Sequence, residues 1–168
     1  GGPRMNTLRP ARPADEPALL ALLPGLADFP VPPWRTARQI ADADTRILLE
    51  ALAHPDPGTL VLVAEAPDGT IAGFLFATTR QDYFTGTPHP HIEVIVVSQS
   101  ARGQGLAREL VEGAERWAGR RGYASITLNV FDRNTRASSV YQRLGYAPET
   151  VHYIKPLDPA GTRGEPTP

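Results

Sequence analysis

Apolar and polar positions alternate along this chain in two rhythms, and the switches between them mark its elements. Residues 7–9 read as a short strand. Residues 14–23 read as an amphipathic helix whose first-turn acids, Asp15 and Glu16, complement the helix dipole and which stops at Pro24-Gly25. A second helix is expected over 36–53, with Ile40, Ile47, Leu48 and Leu52 near helical spacing and His54-Pro55 as its stop. Residues 59–66 and 71–79 read as strands joined through Pro67-Asp68-Gly69-Thr70, where Asp-Gly signals an antiparallel hairpin. A fourth strand is expected over 92–97, with His91, Glu93, Ile95 and Val97 on one face and Ile92, Val94 and Val96 on the other. A helix over 105–120 follows, striped by Leu106, Leu110, Val111, Ala114, Trp117 and Ala118. Then come a strand over 125–130, a short helix over 134–143 ending at Gly145, and a last strand over 150–154. The strand-helix-strand unit from 92 to 130 is a crossover, so its two strands should be parallel inside a sheet that begins antiparallel. The class is mixed α/β.

The 168 residues suit a single core. Residues 5–157 read as one domain, 1–4 as an expression scar before Met5, and 158–168 as a disordered tail. All 18 prolines lie outside residues 91–147, which places the structural centre there. Residues 28–33 and 81–90 are expected to be long loops. No apolar run is long enough to cross a membrane and no secretion signal opens the chain, so a soluble cytoplasmic protein is expected. The sequence has no cysteine, which excludes disulfides, thiolate metal sites and an acyl-cysteine intermediate. The net charge of −1 hides a division: residues 1–101 hold 7 basic and 11 acidic side chains, residues 102–143 hold 8 arginines and 4 acids. An anionic ligand suits the second stretch. Nucleic acid does not, because interleaved exposed aromatics are lacking. No His/Asp/Glu spacing argues for a metal.

The segment Val97-Ser98-Gln99-Ser100-Ala101-Arg102-Gly103-Gln104-Gly105-Leu106-Ala107-Arg108 leads from a buried strand directly into a helix. Glycines there let backbone N–H groups approach a ligand, and the helix N-terminus adds partial positive charge, which makes a phosphate cradle; a plain tight turn is the alternative. A Walker loop would need Gly-Lys-Ser/Thr, and a dinucleotide fingerprint would need glycine where Arg108 stands. Arg102-Gly103-Gln104-Gly105-Leu106-Ala107 instead resembles the pyrophosphate loop of the GNAT superfamily of acyl-CoA-dependent N-acetyltransferases. Asn134, Ala137, Tyr141, Gly145 and Tyr146 match a second motif of that family, Asn-x-x-Ala-x-x-x-Tyr-x-x-x-Gly-Phe/Tyr.

The resemblance implies a largely antiparallel sheet flanked by about four helices, with a central parallel pair splayed around the cofactor. It implies acetyl-CoA as cosubstrate and an amine as acceptor. Backbone groups of Ile95, Val96 and Val97 would pair with the pantetheine arm beside a bulge, and main-chain N–H groups from Arg102 through Arg108 would surround the pyrophosphate. Asn134 would bond the pantetheine or neighbouring backbone, and Tyr141 would protonate or hydrogen-bond the departing thiolate. Many members place a general base where Glu93 stands. A carboxylate in so apolar a strand is costly unless paired or used, so a structural Glu bonded to an arginine is the alternative, and His91 or a water could serve as base instead. Members that modify ribosomal protein N-termini often carry Glu at the position of Asn129; that base is absent here. Trp34, Asp82, Tyr83, Phe84 and His91 are candidates for the acceptor pocket, each equally readable as packing. The expected function is direct acetyl transfer to a primary amine in a ternary complex, with a homodimer as the common family assembly. The competing reading is a non-catalytic acyl-CoA-binding sensor, which would not need Glu93 or Tyr141.

Overall fold

The computed structural model describes residues 5–158; the expected scar and all of the expected tail except Asp158 lie outside the described residues. Five strands form one sheet in the order β1 (Thr7–Pro10), β2 (Leu60–Glu65), β3 (Ile71–Gln81), β4 (Pro88–Val97) and β5 (Thr127–Leu128). The first four pair antiparallel, and β4 with β5 is parallel, as a crossover through a helix requires. Helices α1 (Glu16–Leu22) and α2 (Ala37–Ala53) cover one face, while α3 (Leu106–Arg120) and α4 (Thr135–Arg143) lie on the other. Short 3-10 turns at Pro13–Asp15 and Leu23–Ala27 bracket α1, and Thr36 opens α2 with a capping box to Gln39.

Two cores sandwich the sheet. Val63, Phe74, Phe76, Val94 and Val96 meet Leu19, Leu23 and Leu48 on the α1/α2 side, and Leu62, Leu75, Ala77 and Ile92 meet Leu106, Leu110, Val111 and Ala114 on the α3 side. At Gly113 a Cβ would stand 2.7 Å from Leu62, so the absence of a side chain there sets how closely α3 approaches the sheet.

Three expectations are corrected. The first concerns β4, whose partners run Phe76↔Val94 and then Ala77↔Ile92, leaving Glu93 as an extra residue without a partner on β3. Such a bulge breaks the alternation. Ile92, Ile95 and Val97 therefore pack on the α3 side, while Glu93 bonds Thr78 and Arg80 on the side of Val94 and Val96. Glu93 does not share a face with Ile95, and the bulge lies at Glu93, two residues before the stretch where it was expected.

The second is residues 81–90, which form a long hairpin rather than a loop: β3 reaches Gln81, β4 starts at Pro88, and only Asp82–Thr87 turns. Pro88 and Pro90 are tolerated because pairing with β5 begins only at His91, so β4 has a neighbour on one side there. The third is the expected last strand over 150–154, which does not form. Val151 and Tyr153 are 70% and 89% exposed, and a segment that meets no other strand leaves its backbone to water.

Candidate active site

Strands β4 and β5 pair at only two positions, His91↔Thr127 and Ile92↔Leu128, and then diverge. A cleft, partly open to solvent, opens where they separate. Its walls are Ile92 to Ile95 from β4, Leu128 of β5 and Asn129 to Phe131 beyond it, Leu26, Phe29, Ile40 and Asp44 from the α1/α2 side, and Asn134, Ala137 and Tyr141 of the α4 segment. The slot thus reaches through the sheet from one helical layer to the other. In an antiparallel pair alternate residues bond their partner, so along β4 the remaining N–H and C=O groups face the gap.

At the carboxyl end of β4 the chain turns through Gln99–Ala101 into α3. Gly103 and Gly105 take φ of +77° and +75°, a region that side chains rarely enter, and a Cβ at either would meet nothing within 4 Å. Glycine is required for conformation, and the space in front of the turn is open. Gly105 is the N-cap of α3, and no side chain caps it, so the first-turn N–H groups of the helix remain free for an anion. The nearby cations are already committed: Arg102 pairs with Asp28, and Arg108 with Glu112 at 2.8 Å. Donors for a diphosphate are therefore chiefly main-chain, and the residues present fit the group.

Glu93 is held by a fork. Its Oε1 accepts from Thr78 Oγ1 at 2.8 Å and from Arg80 Nε and Nη2 at 3.1 and 2.7 Å, while Oε2 accepts, among the described residues, only from Arg80 Nη2, at 2.9 Å. The arginine partner that the sequence left open is present, and Oε2 retains one acceptor position. Tyr141 is half-buried on α4, and burial pushes its phenol up to about 12. Among the described residues its hydroxyl makes no hydrogen bond. Asn134 is the N-cap of α4: its Oδ1 accepts from Ala137 N at 3.3 Å, the backbone half of its expected role.

Glu93, Ile95, Asn134 and Tyr141 are brought together in one cavity. The proposed acceptor residues are not. Tyr83 and Phe84 are 92% and 73% exposed at the hairpin tip, and Asp82 folds that tip by accepting from the amides of Phe84 and Thr85 at 2.9 and 2.8 Å. Trp34 lies under the Arg133 guanidinium at 5.4 Å, and His91 is buried with Nδ1 2.7 Å from Thr127 Oγ1. Burial, first, and then Arg80 hold the His91 imidazole below its usual range, which favours its neutral form.

Asp44 was not singled out in the sequence, yet it lines the cavity, and burial together with the charge of Glu93 pushes its carboxyl up to about 6. The signal was legible: Ile40, Asp44 and Leu48 are four apart, so the acid stands on the apolar stripe of α2.

Among the described residues no helix is long and apolar enough to cross a membrane. A family model described as the Acetyltransferase (GNAT) family matches residues 23–146. The aminoglycoside N(6')-acetyltransferase type 1 of Salmonella typhimurium is 33% identical over 82 residues, which is 47% of this chain and 57% of that protein. The mycothiol acetyltransferase of Beutenbergia cavernae is 32% identical over 152 residues, 90% of this chain and 48% of that protein. The chain thus spans about half the length of the curated relatives it matches. The solved structure of the aminoglycoside N-acetyltransferase AAC(6')-Iy in complex with CoA superposes with a TM-score of 0.69 at 24% identity, covering 92% of this chain and 97% of that one, a likeness of fold.

Proposed function

The chain belongs to the acetyltransferase (GNAT) family, and on that premise we propose that it moves the acetyl group of acetyl-CoA directly to a primary amine in a ternary complex. The observation that carries this reading is the presence of three features around one strand: the gap beside β4, the uncapped N-terminus of α3 that follows β4 after Gly103 and Gly105, and the unbonded hydroxyl of Tyr141 on the wall of that gap. CoA in AAC(6')-Iy, a protein of like fold, supports the same cosubstrate here.

The diphosphate sits on the main-chain N–H groups from Arg102 through Arg108, with Gly103, Gln104, Gly105, Leu106 and Ala107 between them. The pantetheine arm runs along Ile95, Val96 and Val97, filling the place that a strand would take beside β4. The free amide of Asn134 borders that arm. An amine nitrogen then attacks the thioester carbonyl carbon, and the negative charge that develops on oxygen is met by β4 amides facing the gap. The C–S bond breaks as the C–N bond forms. The proton leaving nitrogen goes to Glu93 Oε2, directly or through one water, and Tyr141 donates a hydrogen bond or its proton to the departing thiolate; solvent restores both residues. With no cysteine in the chain, an acyl-cysteine intermediate has no place in this sequence of steps. The assembly we propose is a homodimer and the compartment the cytoplasm.

The test is a screen of polyamines, aminoglycosides, amino acids and peptide N-termini for thiol release from acetyl-CoA. Release that depends on an amine, with one acetyl group gained by that amine, is expected. Tight CoA binding with no release on any amine class would convert the protein into an acyl-CoA-binding module.

A further inference from the structure

Two carboxylates, Asp44 and Glu93, line the cavity, and they are not equivalent. Glu93 is compensated, with its negative charge forked by the Arg80 guanidinium. Asp44 is not: among the described residues no hydrogen bond or ion pair closes on its carboxylate, and Arg80, whose field it feels, is committed to Glu93. The other titratable group on the cavity wall is Tyr141, whose phenol burial pushes up to about 12 and so keeps protonated. Arg80 offsets only part of the field of Glu93 at Asp44, so the uncompensated negative charge is the one half-buried on α2.

An unpaired carboxylate in a partly desolvated wall is unfavourable unless a ligand completes it. What would complete it is a cation, and the reacting nitrogen cannot be that cation, because it must shed its proton to attack. From this geometry we infer that Asp44 is a specificity-determining residue that binds a second cationic centre of the acceptor, so that the protein selects diamines and larger polyamino compounds over monoamines. The inference rests on the reading of the cavity as an acceptor site. The position on the helix suits the role: Ile40 and Leu48, one turn either side, are buried, and Asp44 lines the same cavity as Glu93, whose charge it feels. With burial and Glu93 holding its carboxyl near 6, Asp44 is ionised at pH 7.5 and largely neutral at pH 5.

The probes are 1,4-diaminobutane and n-butylamine, of equal carbon length, titrated calorimetrically into the CoA-saturated chain at pH 7.5. The wild-type chain should bind the diamine at least 10-fold more tightly. Asp44→Asn should remove most of that preference, weaken the diamine about 10-fold or more, and move n-butylamine and CoA by less than about 2-fold. Lowering the pH to 5 should erase the wild-type preference in the same way. Asp44→Ser serves as a second variant with a smaller side chain. In turnover, KM for diamine acceptors should rise by more than kcat falls. Equal weakening of both probes, an unchanged preference in both variants, or no measurable diamine binding by the wild-type chain would overturn the inference. Failure of the function reading looks different: the diamine binds in an Asp44-dependent way, yet no amine releases thiol from acetyl-CoA.

Discussion

Replacing Tyr141 by Phe removes one oxygen from the cavity wall and nothing else. The Tyr141 hydroxyl has no hydrogen-bond partner among the described residues, whereas the ring packs against the α3-side core and lies edge-on to Tyr146 at 6.1 Å between centroids. Its loss therefore leaves packing intact, and stability should change by less than about 0.5 kcal/mol, a shift in Tm of no more than about 2 °C for a chain of this size. CoA affinity should also be unchanged. Turnover should not be, because the hydroxyl supplies a donor at the sulfur only as the C–S bond breaks; loss of one such donor costs about 10- to 1000-fold, or about 1.4 to 4 kcal/mol of barrier. Since burial pushes the phenol up to about 12, it stays protonated through pH 10, and the pH profile of kcat should keep its shape while its height falls. Steady-state kinetics on any accepted amine, with thermal unfolding and CoA calorimetry on the same preparations, separate these readouts. Equal kcat for the two proteins, or a fall in kcat matched by a fall in Tm of many degrees, would return Tyr141 to a packing role.

Gly105→Ala should cost about 1 to 2 kcal/mol through its left-handed backbone alone, lowering Tm by about 2 to 8 °C, whereas Gly105→Glu adds a carboxylate at the anion site and should abolish acetyl-CoA binding in calorimetry; a folded Gly105→Glu protein of unchanged affinity would refute the cradle. Glu93→Gln should lower kcat about 100- to 10,000-fold and flatten the basic-pH rise of the rate, while Arg80→Met, which removes only the fork, should lose far less; matched losses in the two variants would make the Glu93–Arg80 pair structural. Asp15 accepts from Arg9 at 2.8 and 2.9 Å and from the Arg12 amide at 2.7 Å, and Arg9 holds its carboxyl below the usual range. The stability it contributes is present above about pH 3.9 and lost as pH falls through its depressed value, so Asp15→Asn should lower Tm at pH 7 and unfold with a flatter acid limb than wild type.

Much of the architecture was readable from the residues, and the exceptions share a cause. Helices α2 and α3 and strands β2 and β3 follow their apolar periodicity because each buries one face or both against a continuous layer. The faces of β4 were misread because a bulge is invisible to a period-2 count: the extra residue, Glu93, is defined only by the partner strand. The expected strand at 150–154 has the right residue types, but strand pattern without a neighbouring ladder yields no strand. In the site, Gly103 and Gly105, Asn134 and Tyr141 were legible because local backbone needs fix them at helix starts and along one helix face. Trp34, Asp82, Tyr83 and Phe84 suit an amine pocket by residue type, but residue type alone does not say which way a hairpin tip points, and Tyr83 and Phe84 point to solvent. Asp44 was missed because an acid in a surface helix reads as solvated until its place on the Ile40–Leu48 stripe is counted.

Direct transfer is tested most directly by two-substrate kinetics combined with the intact mass of the enzyme. Initial rates over a grid of acetyl-CoA and amine concentrations should give intersecting lines, and enzyme incubated with acetyl-CoA alone should keep its mass and release no thiol. Parallel lines, with enzyme gaining one acetyl group before any amine is added, would contradict the ternary-complex account.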